Sequence, residues 1–353
     1  MGRTPTLQTI ADELGVSRST VSNAYNRPDQ LTAELRERVL ATARRLGYGG
    51  PDPAARKLRA GRAGVIGVVL TENLSYAFSD PAAVYFLEGL AGPCEEADAG
   101  ILLLPINVAA KSADAVRDAV VDGLCMYSLP DEHPAIDAAL ERGIPTVIVD
   151  EPIVRGTGFV GIDDRRATRM IGEHLTGLGH RRPAVIVPTV FPGGYEGPST
   201  QQRLDANAYR MDRERLAGLR GAFEGAGVSW KDVPVQESAN QRGAGALAAR
   251  ALLEHDPRPT AIAALTDQLA LGVLDAAREQ GIAVPDELSV TGFDDIVEAA
   301  RSSPPLTTVR QPLGEKGDVA GRVLLDLIAG KRVRKRTLPI ELKVRASTGP
   351  PPG

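Results

Sequence analysis

The spacing of apolar residues changes character along this chain. Over residues 1–48 it follows helical periodicity. Leu7, Ile10, Ala11 and Leu14 fall on one face of a helix that Thr6 can cap and Gly15 can end. Ser17 can cap a second helix running to Asn26 with Val21 turned inward, and Arg27-Pro28-Asp29 breaks it. Thr32 can cap a third, with Glu34 favourable to its dipole. Leu35, Val39, Ala43 and Leu46 form the apolar stripe of that helix, and Gly47 stops it. Three short helices sharing one face predict an all-α bundle.

Residues 49–62 differ. Gly49-Gly50-Pro51-Asp52-Pro53 reads as a turn or linker, and residues 54–60 as about two helical turns whose one large apolar residue is Leu58. So short a helix needs a partner. From Val65 onward, buried-strand runs alternate with amphipathic segments. The runs are 65–70, 101–104, 121–126, 146–149, 184–187, 261–265 and 288–293. The segments between them include 82–97, 113–120, 165–178, 213–226, 243–253 and 270–280. Such alternation predicts parallel sheets covered by helices, and so many strands suit two α/β lobes. Residues 191–212 read as a polar surface loop, and 346–353, ending in Gly349-Pro350-Pro351-Pro352-Gly353, as a disordered tail.

Charge sharpens this division. Residues 1–62 hold 11 Lys/Arg against 6 Asp/Glu; of the chain's 41 and 45, that leaves 30 and 39 for the remainder. A basic head on an acidic body fits a nucleic-acid-binding module joined to something else. At 353 residues and 43% hydrophobic composition, the chain can bury several cores. It contains no apolar run of membrane-spanning length and no apolar leader, so a cytoplasmic protein without membrane partners is expected. Cys94 and Cys125 lack metal-ligand spacing, and His133, His174, His180 and His255 are scattered. Neither a metal nor another cofactor is expected.

The segment 6–26 has helix-turn-helix spacing: Ala11 is small where two helices cross, Gly15 sits at the turn, and Val21 is in the core. Its second helix presents Arg18, Ser19 and Asn23 outward, and such a helix fits the major groove. The bland alternative is a bundle that binds another protein. Here the chain resembles the LacI/GalR family of bacterial regulators. The resemblance rests on Thr6-Leu7, Ile10-Ala11, Gly15-Val16-Ser17, Thr20-Val21-Ser22, Asn26 and Leu46-Gly47-Tyr48. It continues through Ala55-Arg56-Lys57-Leu58, Arg62, Ile66-Gly67-Val68, Arg215-Leu216-Ala217-Gly218, Phe293-Asp294-Asp295 and Pro305–Pro312.

The resemblance implies a multidomain protein. Its parts would be a helix-turn-helix headpiece (1–48), a linker with a hinge helix (49–62) and a two-lobed α/β periplasmic-binding-protein-like sensor (63–345). One lobe would take 63–161 and 293–318, the other 162–291 and 321–345, with crossovers near 161–163, 291–293 and 318–321. It implies base reading by Arg18, Ser19 and Asn23, and phosphate contacts from Thr6, Ser17, Thr20, Ser22, Asn26, Gln30 and Thr32. It implies a minor-groove wedge at Leu58, although the stretch from Tyr48 to Leu58 is one residue longer than the commonest pattern.

For a small-molecule effector, it implies a cleft at the carboxyl ends of the strands. Arg215, Asp294 and Gln311 come from matched motifs; Tyr76, Phe78, Ser79, Asp80 and Asp150 follow the first and fourth strand runs. Thr266 stands where the family commonly has Asn. Simpler roles are available: Asp294 and Asp295 can cap a helix, Arg215 can pair with Asp212 on the surface, and Tyr76 and Phe78 can be packing residues. The whole reads as a ligand-controlled repressor, acting as a homodimer on palindromic double-stranded DNA and without catalysis. A solute-binding protein fits the lobes alone, but the basic head argues against it. An enzyme lacks any paired acid and base with defensible spacing.

Overall fold

Side-chain caps and one buried face account for the helices of the first unit. A computed structural model describes residues 5–50, 61–71, 74–106, 113–190, 194–332 and 334–353. Met1–Gly64 and Val65–Gly353 form two compact units. In the first, α1 (Leu7–Leu14), α2 (Arg18–Asn26) and α3 (Ala33–Arg45) begin after Thr6, Ser17 and Thr32. Each of these hydroxyls accepts a backbone N–H three residues on, at 3.0–3.3 Å. Gly15 closes α1 in the left-handed region at φ 64°. Ile10, Ala11, Val21, Ala24, Val39 and Ala43 form the buried core. The proposed hinge helix with Leu58 lies outside the described residues.

The second unit is two α/β lobes. The chain first lays down β1 (Val65–Leu70), α4 (Pro81–Glu96), β2 (Gly100–Pro105), α5 (Asp114–Asp118), β3 (Gly123–Tyr127), α6 (Pro134–Glu141), β4 (Thr146–Val149) and β5 (Gly158–Gly161). It crosses over to α7 (Asp164–Gly177), β6 (Pro183–Pro188), β7 (Gly197–Pro198), α8 (Gln201–Asp205), α9 (Arg210–Gly225), β8 (Val235–Ser238) and α10 (Arg242–Leu253). There follow β9 (Ala261–Ala264), α11 (Asp267–Glu279), β10 (Ser289–Asp294), α12 (Val297–Arg301) and β11 (Thr307–Arg310). Then α13 (Leu313–Ile328) and β12 (Lys335–Thr337) return to the first lobe, and β13 (Glu341–Lys343) to the second.

The first-lobe sheet runs β12-β5-β4-β3-β1-β2 and the second β13-β11-β10-β9-β6-β8-β7. Pairing is parallel except at β13 and β7. Parallel strands are covered on both faces, which is why β1, β3, β4 and β6 read as unbroken apolar runs.

The helices α4 and α13, α7 and α9, and α10 and α11 pack as close pairs. Glycines let their backbones meet. An added Cβ would lie 1.8 Å from the Gly314 carbonyl oxygen at Gly89, and 2.2 Å from the carbonyl oxygens of Arg165 at Gly218 and Arg242 at Gly272.

Three expectations are corrected. Residues 293–312 belong to the second lobe, because β11 pairs with β10 and β10 with β9. The helix expected to contain a crossover, α13, packs instead on the first lobe: Ala320, Val323 and Leu324 join Phe86, Leu90 and Val160 in one core. The second and third crossovers therefore fall near 311–313 and 338–340, and not at 291–293 and 318–321.

The tail is ordered on the second lobe. The Ser347 hydroxyl accepts from the Thr307 amide (2.7 Å) and donates to the Val290 carbonyl (2.6 Å), and the Gly349 carbonyl meets His180 Nε2 at 2.9 Å. The stretch 194–212 holds β7, α8 and the start of α9 and is not merely loop. Among the described residues no helix is long and apolar enough to cross a membrane.

Candidate functional site

Two surfaces concern function. On the first unit, Arg18 and Ser19 are exposed on the opening turn of α2, and Asn23 one turn later is half-buried. Their exposure follows from the buried positions Val21 and Ala24, which turn the opposite face inward. Asn23 Nδ2 donates to Gln30 Oε1 (3.2 Å), and Asn26 Nδ2 to Ser22 Oγ (3.1 Å). Thr6, Ser17, Gln30 and Thr32 are exposed, Thr20 and Ser22 half-buried. The Ser17 hydroxyl also lies 2.7 Å from Ser19 Oγ and 2.8 Å from Thr20 Oγ1, and Thr6 Oγ1 lies 3.1 Å from Thr9 Oγ1.

On the second unit, a cleft of 620 Å³ lies at the carboxyl ends of strands from both lobes. Tyr127 and Ser128 enter it from the end of β3, Asp150 from β4, Asn240 from just beyond β8, Thr266 from β9, and Asp294 and Gln311 from β10 and β11. Asp150 (φ 65°) and Asp294 (φ 122°) sit in backbone regions that L-residues rarely adopt. Such strain, about 1–3 kcal/mol per residue, gathers at ligand-binding positions.

A buried polar chain forms the cleft floor. Lys316, on α13 and fully buried, donates from Nζ to Asp150 Oδ1 (2.8 Å), Asp150 Oδ2 (2.9 Å) and Gln311 Oε1. Gln311 Nε2 in turn donates to Asp294 Oδ1. Beside it the buried Arg215 donates from Nε to Asp164 Oδ1 (2.9 Å) and from Nη1 to the Leu265 carbonyl (3.0 Å), with its guanidinium 3.7 Å from the Phe293 ring centre. Burial raises the Asp164 carboxyl against the pull of Arg215. Burial likewise pushes Asp212 up to about 7, opposed by Arg215, and raises Asp294. Asp267, beneath the floor, is held high by burial and then by Asp294.

Hydrogen bonds join the lobes at both cleft edges. Asn240 Nδ2 donates to the Tyr76 hydroxyl (2.8 Å), and Asn240 Oδ1 accepts from Thr266 (2.7 Å). Opposite, the fully buried Glu151 accepts from Ser128 Oγ (2.8 Å) and the Met211 amide (2.7 Å), while Arg210 Nη2 donates to the Asp150 carbonyl (2.9 Å). Burial pushes the Glu151 carboxyl up to about 8.

Of the expected effector residues, Tyr76, Asp80, Asp150, Arg215, Thr266, Asp294 and Gln311 line the cleft. Phe78 and Ser79 do not: both are exposed on the far side of a 3-10 turn, Phe78 at 66%. Asp80 and Thr266 also cap α4 and α11. Asp294 and Asp295 cap nothing; α12 starts without a side-chain cap, and Asp295 pairs with Arg345. Arg215 pairs with Asp164 in the interior, not with Asp212 on the surface.

Lys316, Asn240 and Glu151 escaped the sequence reading, and Asp212 entered it only as a surface partner for Arg215. Lys316 had a signal, since it falls on the apolar stripe Leu313–Ala320–Val323–Leu324 of α13 where a solvated lysine does not belong. Among the described residues no group of three or more His, Cys, Asp or Glu is placed to hold a metal ion.

Residues 6–50 match the model of the bacterial regulatory proteins of the lacI family, and 173–348 match a periplasmic binding protein-like domain. The chain is 44% identical to the HTH-type transcriptional regulator Rv3575c of Mycobacterium tuberculosis, covering 99% of this chain and 98% of that protein. A LacI-family regulator from Corynebacterium glutamicum superposes with a TM-score of 0.75 at 36% identity, over 98% and 99% of the two chains. The regulator CelR in complex with cellobiose gives 0.70 at 28%, over 97% and 99%. The lac repressor dimer bound to operator and the anti-inducer ONPF gives 0.75 at 25%, over 98% and 100%.

Proposed function

The chain belongs to the lacI family of bacterial regulatory proteins, which are DNA-binding regulators of transcription, and from that premise we propose how it works. It is a repressor in the cytoplasm, acting by binding and not by catalysis. Two copies read a palindromic operator on double-stranded DNA. Arg18, Ser19 and Asn23 contact base edges; Thr6, Ser17, Thr20, Ser22, Asn26, Gln30 and Thr32 hold phosphates; Leu58 wedges the minor groove. A sugar-like or nucleoside-like effector occupies the cleft between Tyr76, Asp80, Asp150, Arg215, Thr266, Asp294 and Gln311. The comparison proteins support both halves of this reading, one being a dimer on operator and another a cellobiose complex.

The observation that carries the proposal is the cleft itself. Hydrogen bonds across its two edges tie the lobes together, Asn240 to Tyr76 and Met211 to Glu151, so a ligand between them can change how they close. An effector that favours one closure must change operator affinity, and operator must change effector affinity by the same factor. Calorimetric titration of effector with and without operator tests this. Equal affinities in the two titrations would refute the coupling, and failure to bind any selected palindrome at low salt would refute the DNA reading.

A further inference from the structure

Lys316 organises the cleft floor. An ammonium has three N–H donors and no acceptor. All three are spent, on the two Asp150 oxygens and on Gln311 Oε1. Lys316 therefore has nothing left to give a ligand and can act only through its partners. Because it can only donate, it fixes which way the Gln311 amide faces: Oε1 toward the ammonium, Nε2 toward Asp294. Both bonds of that amide run along the floor, so the ammonium offers a ligand no donor, while Asp150 and Asp294 bring carboxyl groups to the cleft lining.

The other charges of the cleft reinforce this. Arg215 spends its Nε proton on Asp164 and an Nη1 proton on the Leu265 carbonyl, and Asp80 and Asp212 add carboxyls to the lining. A buried acceptor left unpaired costs about 1–3 kcal/mol; the buried Asp212 Oδ1 has no hydrogen-bond partner among the described residues, and the carboxyl oxygens of Asp150 and Asp294 keep lone pairs for further donors. A ligand rich in O–H groups satisfies them. A phosphate or carboxylate brings acceptors and like charge, and the Lys316 ammonium has no proton left to answer it, which leaves Arg215 to face four carboxyls among the described lining residues.

We propose that Lys316 is a specificity-determining positioning residue, which spends its charge within the floor, leaves the cleft rich in carboxyls, and so selects an uncharged polyhydroxyl effector against its phosphorylated or acidic counterparts. This rests on the cleft being the effector site. Discrimination arises here from a residue that never touches the ligand.

The test is calorimetry on the full chain with ribose, glucose, cellobiose and sorbitol, and with ribose 5-phosphate, glucose 6-phosphate and gluconate. At least one neutral compound is expected to bind, with its charged counterpart weaker by about tenfold or more, the equivalent of about 1.4 kcal/mol. Binding of a charged member as tightly as its parent, or of no neutral member at millimolar concentration, overturns the proposal. Lys316→Met strands the Asp150 charge and risks misfolding, so the decisive variant is Lys316→Met with Asp150→Asn, which removes both charges together.

In that variant the ratio of neutral to charged affinity is expected to narrow by about tenfold. A purely structural role would scale both affinities alike, and that result also overturns it. A separate failure is recognisable. A neutral ligand unaffected by Asp294→Asn binds elsewhere, which overturns the cleft assignment itself.

Discussion

Glu151 makes the sensor's stability fall as pH rises, in a way one isosteric substitution removes. Its carboxyl is buried at the cleft edge and raised from the ordinary 4.5 to about 8, first by burial and then by the charges of Asp212 and Asp150, against the Met211 amide and Ser128 hydroxyl that favour ionisation. A folded-state value above the unfolded one means that the native protein holds a proton the unfolded chain has lost. The contribution is therefore complete below about pH 4.5 and disappears as pH climbs through about 8. Each pH unit in that interval is worth about 1.4 kcal/mol for one group, so the ceiling is on the order of 4–5 kcal/mol. Glu151→Gln is neutral throughout and can keep both hydrogen bonds, accepting from Met211 and donating to Ser128. Wild type and variant should match near pH 5, and the variant should gain a lead of several kcal/mol by about pH 8.5. The assay is urea unfolding followed by Trp230, the single tryptophan, which stacks on Phe223 in the second lobe. Taking the difference between the two proteins cancels the groups that do not interact with Glu151. Parallel stability curves across that range would refute a protonated Glu151.

Further outcomes are expected. Asn23→Ala should change base preference in a binding-site selection, a good base contact being worth about 1–3 kcal/mol, and unchanged preference would remove Asn23 from the reading face. Gly317→Ala places a Cβ 2.1 Å from the Phe86 carbonyl oxygen, so thermal melting should show a loss of about 1–3 kcal/mol or more; a neutral result would mean α4 and α13 can separate freely. Ser347→Ala strips partners from the Thr307 amide and the Val290 carbonyl and should cost about 1–3 kcal/mol in denaturant titrations, whereas a floppy tail would cost nothing.

The helices of the first unit were legible because local chemistry decides them: cap hydroxyls at 6, 17 and 32, and a stripe at helical spacing between. The long apolar strands were legible because burial on both faces leaves few alternatives. β8 was not, since Val235-Gln236-Glu237-Ser238 looks like surface. It is buried because Arg203 and Ser199 arrive from another segment to satisfy Glu237. β5 is two glycines around Phe159 and Val160 and has no periodicity to read. The lobe boundary after β10 was misplaced for a related reason: which sheet a short strand joins depends on its neighbours in space. Within the cleft, family resemblance located Arg215, Asp294 and Gln311. It could not locate Lys316, whose meaning comes from an aspartate 166 residues away.

The glycine crossings carry a consequence for how such a protein can acquire new specificities. Where α4 meets α13, α7 meets α9 and α10 meets α11, main chain touches main chain, so the frame is held by atoms common to every residue type. None of Gly89, Gly218 and Gly272 lines the cleft. Side chains there can be exchanged without renegotiating the closest contacts of the scaffold. The architecture separates what must stay from what is free to drift, and one frame can be retuned to a different effector by a handful of substitutions at strand ends.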